Sequence, residues 1–321
     1  MRTATKVCLI VAASLVLLGA VIFVGAMAFL NWDFMRLGTV KNQTNTYEIT
    51  EEFRNLSFRT DTADIAFLPS DDGTCKVVCY EQERAKHTVS VTDGTLTVEL
   101  VDTRRWYDHI GIFSVDHSMI TVYLPSGSYG TLTVDENTGD VGIPKDFSFG
   151  TATLSLHTGD VTFDAPVLGN LNIQTTTGDI RVSGVTVGAL DLSVSTGDID
   201  VSAVTCAGDT SVTVSTGKAR LVDLSCKSFS STGNTGDLAL TNVVAEERFS
   251  IERSTGDVTL DGCDAAELSI TTDTGDVTGS LLSEKIFFVT TDTGKTDVPQ
   301  TMSGGKCEIT TDTGDIRITL S

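Results

Sequence analysis

"TTTGDI" occupies Thr175–Ile180, and nineteen residues later "VSTGDI" occupies Val194–Ile199. The same Thr-Gly pair places glycine at Gly139, Gly159, Gly178, Gly197, Gly217, Gly236, Gly256, Gly275, Gly294 and Gly314. Successive copies stand 19 or 20 residues apart. So tight a period over so many copies marks a repeat architecture, in which each copy is one supersecondary unit.

The flanks of each glycine say what that unit is. Two residues after it stand Val161, Ile180, Ile199 and Val258, and four after it Phe163, Val182, Val201 and Leu260. Four residues before the threonine stand Leu154, Ile173, Leu192 and Val212, with Ser231 as the polar exception in that column. Polar residues fill most places between. Period-two alternation on both sides of a turn is the pattern of half-buried strands. Val185, Val204, Leu224 and Val243, seven residues after their glycine, mark a short third side beyond a second bend. One such unit cannot bury its own apolar face, whereas a stack of them encloses a continuous core. The sequence therefore predicts an all-β, single-stranded parallel β-solenoid of about 20 residues per rung, with rungs about 4.8 Å apart. Glycine suits the corner because it takes positive φ without a Cβ penalty. The reading stacks rungs in chain order, which leaves the Gly314 rung last, with a neighbour on one side only and an uncovered C-terminal strand edge open to self-association.

The N-terminus is different in kind. Arg2 and Lys6 precede an uncharged apolar run, Val7–Leu30, long enough to span a hydrocarbon core. Basic residues ahead of it orient the N-terminus to the cytoplasm and the remainder outward. The alternative is a cleaved signal peptide, for which "AMA" at Ala26–Ala28 supplies small residues. Both export the rest of the chain. The net charge is −21, and Arg2 and Lys6 are among only 22 basic residues, so the exported part is more acidic still. Nucleic acid and anionic lipid are poor partners for such a surface.

The expected organisation is an anchor at 1–30, a polar linker at 31–46, an irregular β region at 47–137 capping the rod, and the regular solenoid at 138–321. Within the cap, "FRTDTADIAF" aligns Thr62, Asp64, Ile65 and Phe67 with the repeat, with Ala63 in place of glycine. Asp93-Gly94 between two alternating runs predicts a hairpin. Cys206 and Cys226 each lie nine residues after their corner and are read either as a disulfide across one rung spacing or as two small core residues.

The run "ADIAFLPSDDGTCKVV", then "DGTLTVEL", a Trp-containing loop, "ITVYLPSGSYGTLTVDENTGDV" and the further TGD corners together resemble the bacterial putative-adhesin domain family. The resemblance covers roughly residues 47–321. It implies a β-helical fold at the cell envelope, often on an N-terminal membrane anchor, with no catalytic residues to carry over. Some relatives are associated with envelope-stress signalling. Lys218 and Lys295 stand where the family's corner has aspartate.

Asp140, Asp160, Asp179, Asp198, Asp237, Asp257, Asp276 and Asp315 follow their corner glycines and form a column in any stacked rod. Either each carboxylate accepts hydrogen bonds from its own corner's backbone or a neighbouring threonine, or the column binds a cation such as Ca²⁺. The cation candidates are Asp273, Asp276, Asp312 and Asp315, with Lys295 expected in their midst. Near-constant rung length leaves no loops to wall a cleft, and the repeats hold no nucleophile–base pair. The reading is therefore a non-enzyme without cofactor. "RRWYDHIGIFSVDH", Arg104–His117, breaks the uniformity. Trp106, Tyr107, His109 and Phe113 are its partner-binding candidates, against a simple plug of the rod's open end. His109 and His117 give only an incomplete metal-ligand set. The functional expectation is a membrane-anchored extracytoplasmic solenoid with an adhesin-like or envelope-organising role toward an envelope protein or glycan. A sensor of envelope stress and a passive spacer are the alternatives.

Overall fold

The computed structural model describes residues 3–29, 32, 42–103 and 118–321. Helix Thr3–Phe29 contains Leu9–Phe29, which is long and apolar enough to cross a membrane. The described residues from Asn42 onward are mainly β-structure, wound as a β-solenoid.

Rung contacts are parallel and in register. One inward column runs Leu154↔Ile173, Ile173↔Leu192, Leu192↔Val212, Val212↔Ser231 and Ser231↔Ile251. These residues are buried, as are Ile180, Val182, Ile199 and Val201 on the side after the corner and Val185, Val204, Leu224 and Val243 on the third side. The alternation seen in the sequence is thus the division between core and solvent. Aromatic rings thicken the core in two places. Phe58 and Phe67 meet edge to face at 5.2 Å, and Phe229 and Phe249 at 5.3 Å.

The second bend falls six residues after the corner, at Gly184, Ala203, Asp223, Asn242 and Gly262. All five have φ between 52° and 67°. Asn and Asp tolerate this left-handed region through local hydrogen bonding, and Asn242 Nδ2 donates to Asp223 Oδ1 of the neighbouring rung at 3.0 Å.

At both ends the rung order departs from chain order. Seven strands build the N-terminal end: β1 (Asn42–Ile49), β2 (Asn55–Thr62), β3 (Asp64–Pro69), β4 (Cys75–Gln82), β5 (Ala85–Thr92), β6 (Thr95–Asp102) and β7 (Met119–Leu124). β2 and β3 form the Ala63 rung, which lies between the Gly139 rung and an outer rung made of β6 and β7. Beyond that, β5 pairs antiparallel with β6, and β4 antiparallel with β7 and β1. β5 and β6 are joined through Asp93 and Gly94, at φ 50° and 71°, the two-residue hairpin turn the sequence indicates.

The C-terminal end corrects the expected order. Glu267–Thr274 pairs with Gly305–Thr313, and Gly305–Thr313 pairs with Lys285–Thr293. The last rung in sequence is inserted between the two that precede it. Gly314 is therefore flanked on both sides, and the outermost strand is Lys285–Thr293, with Ile286 and Phe288 exposed. A free edge belongs to that strand, and the C-terminal strand Ile316–Leu320 is covered on its outer side only at Ile316 and Arg317. Glycine allows the insertion. A Cβ on Gly305 would lie 1.7 Å from the Ala266 carbonyl oxygen, and one on Gly304, at φ +105°, 1.8 Å from that of Glu284. Only a bare backbone passes between those two chains. Lys285 Nζ anchors the outer rung to Asp264 Oδ1 at 2.6 Å.

The six described cysteines are free thiols, Cys206 and Cys226 included. The Cys206 thiol faces the Gly208 carbonyl oxygen at 3.4 Å, and burial pushes the Cys226 thiol up to about 12.

Candidate functional site: the aspartate ladder and the rod surface

The ten corner glycines have φ between +128° and +157°. A Cβ on Gly197 would stand 2.1 Å from the Gly178 carbonyl oxygen and 2.7 Å from its carbon. Glycine is required there twice, by dihedral and by approach. The peptide ladder continues through the corners, with Gly178 N–H donating to Thr196 O and Gly197 N–H to Thr216 O, both at 3.0 Å.

The aspartates use neither their own corner nor a threonine. Each carboxylate reaches the next rung. Asp160 N–H donates to Asp140 Oδ1 at 2.8 Å, Asp179 N–H to Asp160 Oδ1 at 2.8 Å, and Asp198 N–H to Asp179 Oδ1 at 2.9 Å. The ladder begins one rung earlier, where Asp140 N–H donates to Asp64 Oδ1. Lys218 takes part as a donor through its backbone, to Asp198 Oδ1 at 2.7 Å. It has no carboxylate to offer onward, and its Nζ instead approaches Asp237 Oδ2 at 3.3 Å. Beyond it, Asp237 accepts from Asp257 and Asp257 from Asp276. Arg181 spans two members, 2.8 Å from Asp179 and 3.7 Å from Asp160. One oxygen of each carboxylate thus offsets charge repulsion by accepting a backbone proton, and the second oxygens of Asp160, Asp179 and Asp237 meet Arg181 or Lys218. These bonds give the corner aspartate a structural role.

Of the cation candidates, Asp276 and Asp315 are direct neighbours, since Asp315 N–H donates to Asp276 Oδ1. Lys295 does not divide them. It lies outside Asp315 and donates its backbone N–H to that carboxylate at 2.9 Å. Asp273 and Asp312 occupy matching places on adjacent rungs. The four do not form a set of three carboxylates converging within 4.8 Å; among the described residues that criterion is met by Cys79, Glu81 and His87. The sequence reading passed over this trio. The signal was present, because Cys75, Val77, Cys79 and Glu81 alternate on one strand face, but glutamate ahead of a polar turn reads as solvent-facing.

Trp106, Tyr107, His109 and Phe113 lie outside the described residues. Their segment joins Thr103 to Ser118. Ser118 O accepts from Asp64 N–H at 3.0 Å. His157 is exposed. One trough on the rod, about 640 Å³, is lined by Asp209, Ser211, Ser228, Glu246, Arg248 and Glu267 among others, with neither His nor Cys.

The solved structures to which the chain is similar are distant in sequence. A protein from Bacteroides fragilis described as a putative adhesin is 14% identical, with 87% of this chain and 97% of that one covered and a TM-score of 0.36. A putative adhesin from Parabacteroides distasonis is 13% identical over 85% and 98%, with a TM-score of 0.44. A protein from the same species described as a putative lipid binding protein is 11% identical over 88% and 98%, at 0.34. No curated protein matches. The family match is the decisive one: it spans residues 53–223 and 205–321, nearly all of the β-structure, and the chain belongs to the Toastrack DUF4097 family.

Proposed function

We propose that this protein is a membrane-anchored, extracytoplasmic binding rod with an adhesin-like or envelope-organising role, and that it is not an enzyme. The observation that carries the reading is the pairing of one membrane-length apolar helix with a long β-solenoid of nearly constant rung length. Such a rod presents wide lateral faces and few loops. Its acidic exterior favours solubility and disfavours rod-to-rod adhesion. Arg2 and Lys6 ahead of the apolar run set a cytoplasmic N-terminus. The partner class is an envelope protein or glycan, met by a rod face or by the Arg104–His117 segment.

The tether and the binding are tested separately. Protease added to intact cells should remove the ectodomain and leave the helix in the membrane. Recovery of the whole rod in the medium, with a new N-terminus near Phe29, would replace the anchor by a signal peptide. Purified ectodomain should bind saturably to envelopes of the producing cell, and its failure to do so would leave only a spacer.

A further inference from the structure

The N-terminal cap holds a cluster that neither the repeat nor the binding reading uses. β4 points Cys75, Val77, Cys79 and Glu81 to one face, and all four are buried. The first three extend the apolar core, whereas Glu81 places a carboxylate in it at 1% exposure. The chain then turns and β5 brings in His87, at 3% exposure. Glu81 Oε2 accepts the His87 backbone N–H at 2.6 Å and stands 2.7 Å from His87 Nδ1. Glu81 Oε1 accepts from Asn45 Nδ2 at 2.5 Å, and Tyr47 OH donates to His87 O at 2.8 Å. One donor atom each from Cys79, Glu81 and His87 lies within 4.8 Å of the other two. His87 Nε2 is buried without a hydrogen-bond partner.

A buried glutamate–histidine pair closing a turn accounts for the Nδ1 contact. It accounts neither for the orphaned ring nitrogen, whose desolvation is uncompensated, nor for a thiol in the same group. We propose that Cys79, Glu81 and His87 bind a divalent, borderline-soft metal ion, with Zn²⁺ as the best fit. Thiolate, imidazole and carboxylate are zinc's ligand types, and Ca²⁺ or Mg²⁺ would demand oxygen alone. The charges balance. Zn²⁺ with one thiolate, one carboxylate and a neutral imidazole is net neutral, as a buried site requires. Binding releases the Cys79 thiol proton, together with any proton shared between His87 and Glu81, to solvent. Water completes a tetrahedral set.

The position gives the ion a task. β4 and β5 share only the Gln82↔Ala85 pair before they part. β4 then joins β1 and β7, while β5 joins β6. An ion held by Cys79 and Glu81 on one strand and His87 on the other staples the hairpin where its strands diverge, at the end of the rod where stacking supports it least.

The test uses the full-length chain in detergent, purified from cells grown with added Zn²⁺ or Co²⁺ so that the ion is present during folding. One metal per chain should survive desalting, and the cobalt form should show a near-ultraviolet thiolate-to-metal charge-transfer band. Cys79→Ser should abolish the band, and His87→Gln should lower metal retention at least tenfold. Cys307→Ser, a buried thiol at the far end of the rod, should change neither. Chelator should lower the melting temperature of the wild type and of Cys307→Ser, but not of Cys79→Ser. Metal-free wild type from supplemented cells overturns the proposal, whatever the variants do. So does a band that persists in Cys79→Ser, or one lost equally in both cysteine variants.

Discussion

Asp315 donates its backbone N–H to Asp276 Oδ1 at 2.8 Å, across 39 residues of chain. The bond fixes the order of the last rungs, because Lys295, halfway between them in sequence, donates to the far side of Asp315. The corner glycines agree: a Cβ on Gly314 would lie 2.0 Å from Gly275 O, and one on Gly294 2.0 Å from Gly314 O. Gly314 is therefore an interior position. Gly314→Val should cost about as much as Gly197→Val, a few kcal/mol, as expected of a β-branched residue at a glycine-only backbone site. Gly294→Val should cost clearly less, since its rung has one neighbour and frays. Denaturant melts of the three variants decide the matter. A mild Gly314→Val beside a severe Gly294→Val would restore chain order to the rod's end.

The ladder makes a second prediction at Asp257, which has an acidic neighbour on either side. Asp257 N–H donates to Asp237 Oδ1 at 3.2 Å, and Asp257 Oδ1 accepts from Asp276 N–H at 2.9 Å. Asp257→Ala leaves the Asp276 N–H without its acceptor and should cost about 1 kcal/mol. Asp257→Asn keeps an acceptor and removes a charge flanked by two like charges, so it should be neutral or stabilising. Its advantage over the wild type should shrink as salt is added. Equal losses from Ala and Asn, unchanged by salt, would mean that the negative charge itself is needed, as for a bound cation.

What was legible in the chain follows from what a period records. Gly178, Gly197 and Gly217 announce corners because one residue type answers one dihedral, and Ile180, Ile199 and Ala219 announce core because burial alternates. Rung order at the ends is not periodic information. Asp276, Lys295 and Asp315 sit in near-identical "TTDTG" contexts, so either stacking satisfies the same alternation. What selects the observed order is the close approach of Gly304 and Gly305 to Glu284 and Ala266, a contact between strands that spacing does not encode. The second bend was half visible. Gly184, Asp223, Asn242 and Gly262 are turn residues six after their corners, but Ala203 interrupts the series. The trio of Cys79, Glu81 and His87 needs the hairpin path of β4 and β5 before its members meet.

Inside the rod, the column that runs through Val194 and Val214 turns polar at Arg253. Arg253 is 3% exposed and occupies the space that Gly233 leaves on the adjacent rung, where Val214 and Val194 fill the same column further along. Its Nη2 donates to Ser231 Oγ at 2.7 Å, while Nε and Nη1 have no partner. Burial draws the guanidinium down to about 10. Ser231→Ala should therefore cost about 2–3 kcal/mol, the scale for a hydrogen bond to a buried charged group. In an Arg253→Val background the same change should cost nothing, because no charge is left unsatisfied. A double-mutant cycle measures the difference, and additive effects would show that Ser231 does not support the arginine.

Glu136 gives the rod a pH dependence of predictable sign. It is buried at the first regular corner, where Oε1 accepts from Ala63 N–H at 3.3 Å and Thr138 N–H at 3.2 Å, and Oε2 has no partner. Burial pushes its carboxyl up to about 8, with Asp61 and Asp64 adding to the effect and the two N–H donors opposing it. The folded-state value is raised above that of the unfolded chain, about 4.5. Between those values the folded protein holds a proton that the unfolded chain releases. Stability from this group is therefore full below about pH 4.5, falls as pH rises toward 8, and is flat beyond, with a limiting slope of about 1.4 kcal/mol per pH unit. Glu136→Gln keeps the acceptor and fixes the neutral form. It should match the wild type near pH 5 and exceed it by about 1–3 kcal/mol at pH 9, once the compact fold no longer carries an unpaired buried carboxylate. Urea melts of both proteins across that range separate this group from the rest of the acidic surface, which titrates alike in the two. Parallel stability curves would place Glu136 in water, ionised throughout.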